Sequence, residues 1–170
     1  MVCDDGRVSV VIRRPGPDEL AEVGRLTVDA YAADGAVSAD DPYFVMLADA
    51  AGRDRAADLL VAVSEQGALL GTVTYVVPGS ALSEVSTREE AEIRMLAVAP
   101  AARGCGIGEQ LTRACVDRAR AEGFAVLVLS TATWMHAAHR LYRRLGFVRV
   151  PERDWKPRTD VDLLVYALDL

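Results

Sequence analysis

The chain has 170 residues, 51% hydrophobic and 26% charged, with a formal charge of −6. That balance suits one globular domain with a full core, expected over residues 1–170. No apolar run reaches the roughly 18–20 residues that a membrane span requires, which excludes an integral membrane protein of the helical kind. The net negative charge also argues against nucleic acid as the main partner. The opening Met-Val-Cys-Asp-Asp-Gly-Arg lacks the basic and apolar stretches of a secretory signal. Cys3, Cys105 and Cys115 are an odd count for a disulfide framework, so a reducing, cytoplasmic setting is expected.

In chain order, Val8–Arg13 reads as a strand. Pro17, Asp18 and Glu19 open a helix whose Leu20, Val23, Thr27 and Tyr31 share one face. The acidic, Ala-rich stretch from Ala32 to Asp58 predicts one or two short helices around Pro42–Ala50. Leu59–Val63 and Gly71–Val77 form an antiparallel hairpin about the Glu65-Gln66-Gly67 turn, and a loop follows over 78–90. Ala91–Val98 is a strand and Ile107–Glu122 a helix, with Ile107, Leu111, Ala114, Cys115 and Ala119 inward. Ala125–Ser130 is a continuous apolar run of the kind found in strands buried on both faces. Strand, helix and strand at this spacing make a βαβ unit with parallel pairing. Met135–Leu145 is amphipathic and closes at Gly146, with Phe147 following as the packing residue. Strands over Phe147–Val150 and Val161–Leu168 complete the chain, joined by a polar connector, Pro151–Asp160, that carries Trp155.

The chemistry concentrates in Val98–Gly108, where a buried strand meets a helix N-terminus through three alternate glycines. Such a loop can turn backbone N–H groups onto a phosphate, and the helix dipole favours the anion. A P-loop would need Gly-Lys-Ser/Thr where this chain has Gly108-Glu109-Gln110. A dinucleotide fingerprint would need G-x-G-x-x-G and an acid closing the next strand, which instead ends at Ser130. The pattern Arg/Gln-x-x-Gly-x-Gly/Ala is met in full by Arg103, Gly106 and Gly108.

That pattern resembles the coenzyme A loop of the GNAT (GCN5-related N-acetyltransferase) family. The strand Glu92-Ile-Arg-Met-Leu-Ala-Val98-Ala-Pro100 is similar to the family's fourth strand. Ala138-His-Arg-Leu-Tyr142-Arg-Arg-Leu-Gly146-Phe147 is similar to its late helix, and the strong match spans 91–147. The resemblance implies a single α/β domain with a mixed central sheet of about six to seven strands flanked by helices. It also implies that the fourth and fifth strands splay around the coenzyme. Main-chain groups of Leu96, Ala97 and Val98 would then hold the pantetheine arm. The N–H groups of Gly104, Cys105, Gly106, Ile107, Gly108 and Glu109 would hold the pyrophosphate, with Arg103 adding a charged donor. Cys105 departs from the family's usual basic residue and is expected to face solvent or the adenine end.

The resemblance makes Tyr142 the general acid that protonates the departing thiolate, a half-buried packing aromatic being the plainer reading. Glu92 matches a position where relatives place a carboxylate base; a carboxylate paired with Arg94 is the alternative. Met135 stands where relatives often have a coenzyme-binding Asn. His136 and His139 read as solvated helix residues, with a substrate contact open for His139, and no metal is implied. Trp134 and Trp155 read as packing or pocket-wall residues.

The implied activity is direct acetyl transfer from acetyl-CoA to a primary amine of a small molecule or peptide. A non-catalytic acyl-CoA-binding or sensor domain and a nucleotide-binding Rossmann protein are the rivals. A homodimer is compatible with either reading. Residues 1–90 carry a charge of −9 and residues 91–170 carry +3. With Asp34, Asp40, Asp41, Glu84, Glu89 and Glu90 on the expected acceptor side, a cationic acceptor follows by electrostatic focusing.

Overall fold

Apolar residues on both faces of the central strands dictate a sheet covered on both sides. The structure, a computed structural model, describes residues 8–35 and 41–170; the expectations for Cys3 and Asp40 lie outside the described residues. The chain order is β1 (Val10–Arg13), α1 (Leu20–Ala33), α2 (Pro42–Ala48), α3 (Ala50–Ala56), β2 (Asp58–Ser64), β3 (Leu69–Val76), β4 (Glu90–Val98), α4 (Ile107–Ala121), β5 (Val126–Ala132), α5 (His136–Arg144), β6 (Val148–Arg149), β7 (Trp155–Arg158) and β8 (Val161–Asp169). The strands form one sheet in the order β1-β2-β3-β4-β5-β8-β6, with β7 on β8. Only β4 and β5 pair in parallel; every other pair is antiparallel.

The eight strands exceed the number expected, because the polar connector before β8 contains β7. Its Trp155-Lys156-Pro157-Arg158 has the charges and proline of an edge strand, and its pairing with β8 is broken by a register shift between Trp155 and Arg158. Polarity alone hides such a strand.

Along β2 the side chains alternate between two cores. Leu59, Val61 and Val63 pack with Val23 and Ala50 under α1 and α3. Leu60 and Ala62 join the larger cluster with Ile107, Leu111, Cys115 and Phe147 under α4 and α5. Leu111, Cys115 and Ala119 of α4 are fully buried at helical spacing, as the periodicity predicts. The α1–α3 layer is tied by Arg53. Its buried guanidinium donates to Thr27 Oγ1 of α1 and to Leu47 O at the end of α2, each at 3.0 Å. Asp41 caps α2 by accepting from Tyr43 N at 2.8 Å. The expected closure of α5 is present: Gly146 adopts φ +93°, its N–H reaches Arg143 O, and Phe147 N–H reaches Tyr142 O.

Gly71 sets how closely α4 approaches the sheet. A Cβ there would stand 2.9 Å from Ala97 O and 3.0 Å from both Ile107 Cγ2 and Leu111 Cδ1. Gly71→Ala is therefore expected to cost about 1–3 kcal/mol, the range for overpacking a filled core. Urea unfolding checks this: the midpoint falls with an unchanged slope, whereas an unchanged midpoint would show that the α4–sheet spacing yields freely.

Candidate active site

Between Thr72 and Thr74 the β3–β4 register slips. Thr72 faces Ala97 while Thr74 faces Arg94, so Met95 and Leu96 together oppose Val73. Met95 carries the extra residue of this bulge at φ +51°, the sole non-glycine with positive φ among the described residues. The parallel ladder between β4 and β5 runs from Glu90–Val126 only as far as Ile93–Leu129. Beyond it β5 continues on β8 to Ala132, while β4 stays with β3 to Val98. The two strands diverge, and the β5-facing edge of Arg94–Val98 is left without a ladder partner.

A small cavity of about 50 Å³ lies in that divergence, lined by Ile93, Met95, Leu96, Thr131, Met135 and Tyr142. It shares Ile93, Met95, Thr131 and Met135 with a larger cleft of about 340 Å³. The outer walls of this cleft come from α1 and α2 (Tyr31, Tyr43), from the 78–89 loop (Glu84) and from β7 (Trp155, Arg158). Tyr142 is buried, with its ring 5.7 Å from that of Phe147 and 6.2 Å from that of Tyr166. Burial raises its hydroxyl pKa, so it stays protonated at neutral pH.

At the carboxyl end of β4, where the strands diverge, the chain makes a single 3₁₀ turn over Pro100–Ala102 and enters α4. Gly104 and Gly106 both sit in the left-handed region, at φ +78° and +77°, and Gly106 is the α4 N-cap. The first amide of the helix ladder is that of Gln110, bonded to Gly106 O. The amides before it occupy the first turn, which has no intrahelical acceptors to offer. Gly108 allows the close approach of α5: a Cβ there would lie 3.3 Å from Leu141 Cδ2.

The profile of the acetyltransferase (GNAT) family matches residues 23–147. The chain belongs to that family. A mycothiol acetyltransferase from Cellulomonas flavigena is 39% identical over 85 residues, which is 49% of this chain and 24% of that protein. An N-acetylaspartate synthetase from Danio rerio is 34% identical over 86 residues, 51% of this chain and 29% of that protein. The chain thus spans about a quarter of the length of the curated relatives it matches. Among solved structures, a Staphylococcus aureus GNAT acetyltransferase superposes with a TM-score of 0.74 at 14% identity, covering 95% of this chain and 99% of that one. The Salmonella typhimurium yncA structure, described with its cofactor acetyl-CoA, gives 0.69 at 26% identity, covering 95% and 94%.

Within this GNAT frame several side chains stand elsewhere than the sequence suggests. Glu92 lines neither cavity. Fully buried, its Oε2 accepts from the amides of Glu84, Val85 and Ser86 at 3.0, 3.3 and 3.2 Å and from Ser86 Oγ at 2.9 Å. Nor does Arg94 pair with Glu92: it donates to Leu82 O and forms an ion pair with Glu84. Arg103 clamps the end of α1, 2.7 Å from Asp34 Oδ1 and 2.8 Å from Ala30 O. Cys105 is a core residue, not a solvent-facing one. Cys115 is the buried thiol, its pKa pushed up to about 12 by burial. His139 is buried rather than solvated. Its Nε2 lies 2.9 Å from Ala132 O, and desolvation lowers its pKa. No group of three or more metal-ligating side chains is found among the described residues.

The acidic residues are mostly spoken for by arginines. Asp34 pairs with Arg103, Asp41 with Arg158, Glu84 with Arg94 and Glu90 with Arg153. Charge counting along the chain misses these long-range partners. Glu84 and Trp155 line the cleft, in keeping with their reading as an acceptor-side acid and a packing or pocket-wall residue.

If the loop amides hold a pyrophosphate, a side chain at the left-handed Gly106 both strains the backbone and obstructs the anion's approach. Gly106→Val is expected to weaken CoA binding by at least about tenfold, about 1.4 kcal/mol. Calorimetry on protein with wild-type circular dichroism checks this, and unchanged affinity would move the phosphate site elsewhere.

Proposed function

We propose that this domain transfers an acetyl group from acetyl-CoA directly to a primary amine. The observation that carries the reading is the divergence of β4 and β5 beyond Ile93 and Leu129, with Tyr142 at its floor and the larger cleft opening from it. The unpaired edge of β4 at Leu96, Ala97 and Val98 supplies main-chain groups for an extended pantetheine arm. The amides of Gly104, Cys105, Gly106, Ile107, Gly108 and Glu109 supply the pyrophosphate cradle. Arg103 holds Asp34 and Ala30 O with one N–H from each terminal nitrogen, which leaves its other donors for the phosphates. The yncA structure, described with its cofactor acetyl-CoA, supports the same donor.

On this reading the amine nitrogen, entering from the larger cleft, attacks the thioester carbonyl. As the C–S bond breaks, Tyr142 gives its proton to the thiolate. Glu84, a cleft-wall carboxylate, takes the proton leaving the amine. Burial raises its pKa, Arg94 opposes that rise and Glu92 adds to it, which moves the carboxyl towards a base's working range. Glu92, the base expected from the resemblance, instead positions Glu84 by gathering the amides of residues 84–86.

Tyr142→Phe keeps the ring packing and removes only the proton donor. It should lower kcat roughly 10²-fold while leaving acetyl-CoA affinity unchanged. Free-thiol release that depends on added amine is the assay, and full activity in the variant would reassign Tyr142 to packing. For Glu84 the sign is set by its role: only the carboxylate accepts a proton, so kcat/KM falls as pH drops through its raised pKa. Glu84→Gln should lose that limb and about 10²-fold in kcat; a limb that survives the substitution would place the base elsewhere.

A further inference from the structure

The wall of the larger cleft contributed by β7 has no part in the acetyl-transfer chemistry, yet two of its lining residues, Trp155 and Arg158, carry hydrogen-bond donors. In a regular strand, residues 155 and 158 would face opposite sides. Here the register shift between Trp155 and Arg158 brings both into the lining of the same cleft. Trp155 Nε1 is buried and has no hydrogen-bond partner among the described residues. An indole N–H only donates, and a buried unmade hydrogen bond costs about 1–3 kcal/mol, so an acceptor atom brought to Nε1 would relieve that cost.

Arg158 places Nη1 and Nη2 at 2.6 and 2.9 Å from the two carboxylate oxygens of Asp41, and its Nε 3.5 Å from Asp160. A guanidinium has five N–H groups, so one on each terminal nitrogen remains for a ligand. The four charged residues lining the cleft, Asp41, Glu84, Arg94 and Arg158, cancel, which disfavours a polycation and matches a molecule whose own charges cancel. The remaining walls are largely apolar, with Met46, Trp134 and Leu163 among them.

We propose that the acceptor is an amine that also carries a carboxylate, held through Trp155 Nε1–H and the free N–H groups of Arg158, while its amino end lies towards Glu84 and Tyr142. This rests on the acetyl-transfer reading above and names the substrate class of the same cleft. It replaces the cationic acceptor expected from charge counting.

The test compares amino acids with their primary amides, using the proteinogenic L-amino acids together with β-alanine and γ-aminobutyrate. The first readout is amine-dependent CoA release. At least one acid should exceed its amide by about tenfold or more in kcat/KM, about 1.4 kcal/mol. In Arg158→Gln that ratio should collapse to within about twofold through a rise in KM, Arg158→Lys should restore part of it, and Trp155→Phe should reduce it. A cleft that is merely distorted would lose acids and amides alike, and that result overturns the proposal, as does an amide or simple alkylamine that serves as well as every acid. The second readout is the fluorescence of Trp134 and Trp155, the chain's two tryptophans, both in the cleft wall. If no amine is acetylated, the acetyl-transfer reading fails by itself. Quenching by an acid but not its amide, abolished in Arg158→Gln, would still uphold the carboxylate site, and equal or absent quenching would overturn it.

Discussion

The bulge at Met95 is the constraint on which the rest of the site depends. A methionine held at φ +51° occupies a region that costs a non-glycine residue of order 1–2 kcal/mol, and such outliers persist only where the surroundings over-determine them. Here β3 holds both sides of the bulge in register, Thr72 on Ala97 and Thr74 on Arg94. The extra residue bends β4 away from β5 immediately after the last parallel pair, Ile93–Leu129. With no bulge the ladder could continue in the same register to Leu96 and Ala132, closing the gap from which the small cavity opens. The strain at one residue thus opens the space in which Tyr142, Thr131 and Met135 meet.

A second dependence runs through buried carboxylate chemistry. Glu92 stands on β4 two residues before Arg94, so both side chains leave the strand on the same face. They do not meet; each takes hold of the 78–89 loop instead. Glu92 collects three loop amides, and Arg94 binds Leu82 O and the Glu84 carboxylate. The fold therefore spends a fully buried acid on anchoring a loop and offers to the cleft a neighbouring, more exposed acid whose pKa burial has raised. The same logic governs Arg103 and Asp34, and Arg158 and Asp41. Ion pairs between residues 69 and 117 positions apart tie distant parts of the chain together.

How much of this was legible depends on whether the signal is local. The helix of Ile107–Ala121, the Gly146 closure of α5 and the β2–β3 hairpin were all readable, because periodicity, capping and turn chemistry act within a few residues. The glycine loop was equally plain, since left-handed dihedrals at Gly104 and Gly106 need no partner distant in sequence. Strand β7 was missed because its stability comes from pairing with β8, and its Pro, Lys and Arg are the composition of a connector as much as of an edge. The burial of Cys105 and His139 was missed for a related reason: each sits at a position whose exposure is set by what packs on it.

The sequence by itself determined the family, the glycine loop before α4 and the helix that presents Tyr142, because these are written as short motifs whose conformations follow from glycine placement and hydrophobic spacing. Only the tertiary structure decided which carboxylate faces the cleft and which is buried beneath a loop. It alone decided which arginines neutralise the acidic half of the chain, and that Trp155 and Arg158 share one wall. The physical reason is that charge pairing and burial are pairwise properties of residues brought together by the sheet. An acid's role is set by the partner that reaches it, and that partner lies anywhere from six positions away, as Ser86 is from Glu92, to 117, as Arg158 is from Asp41.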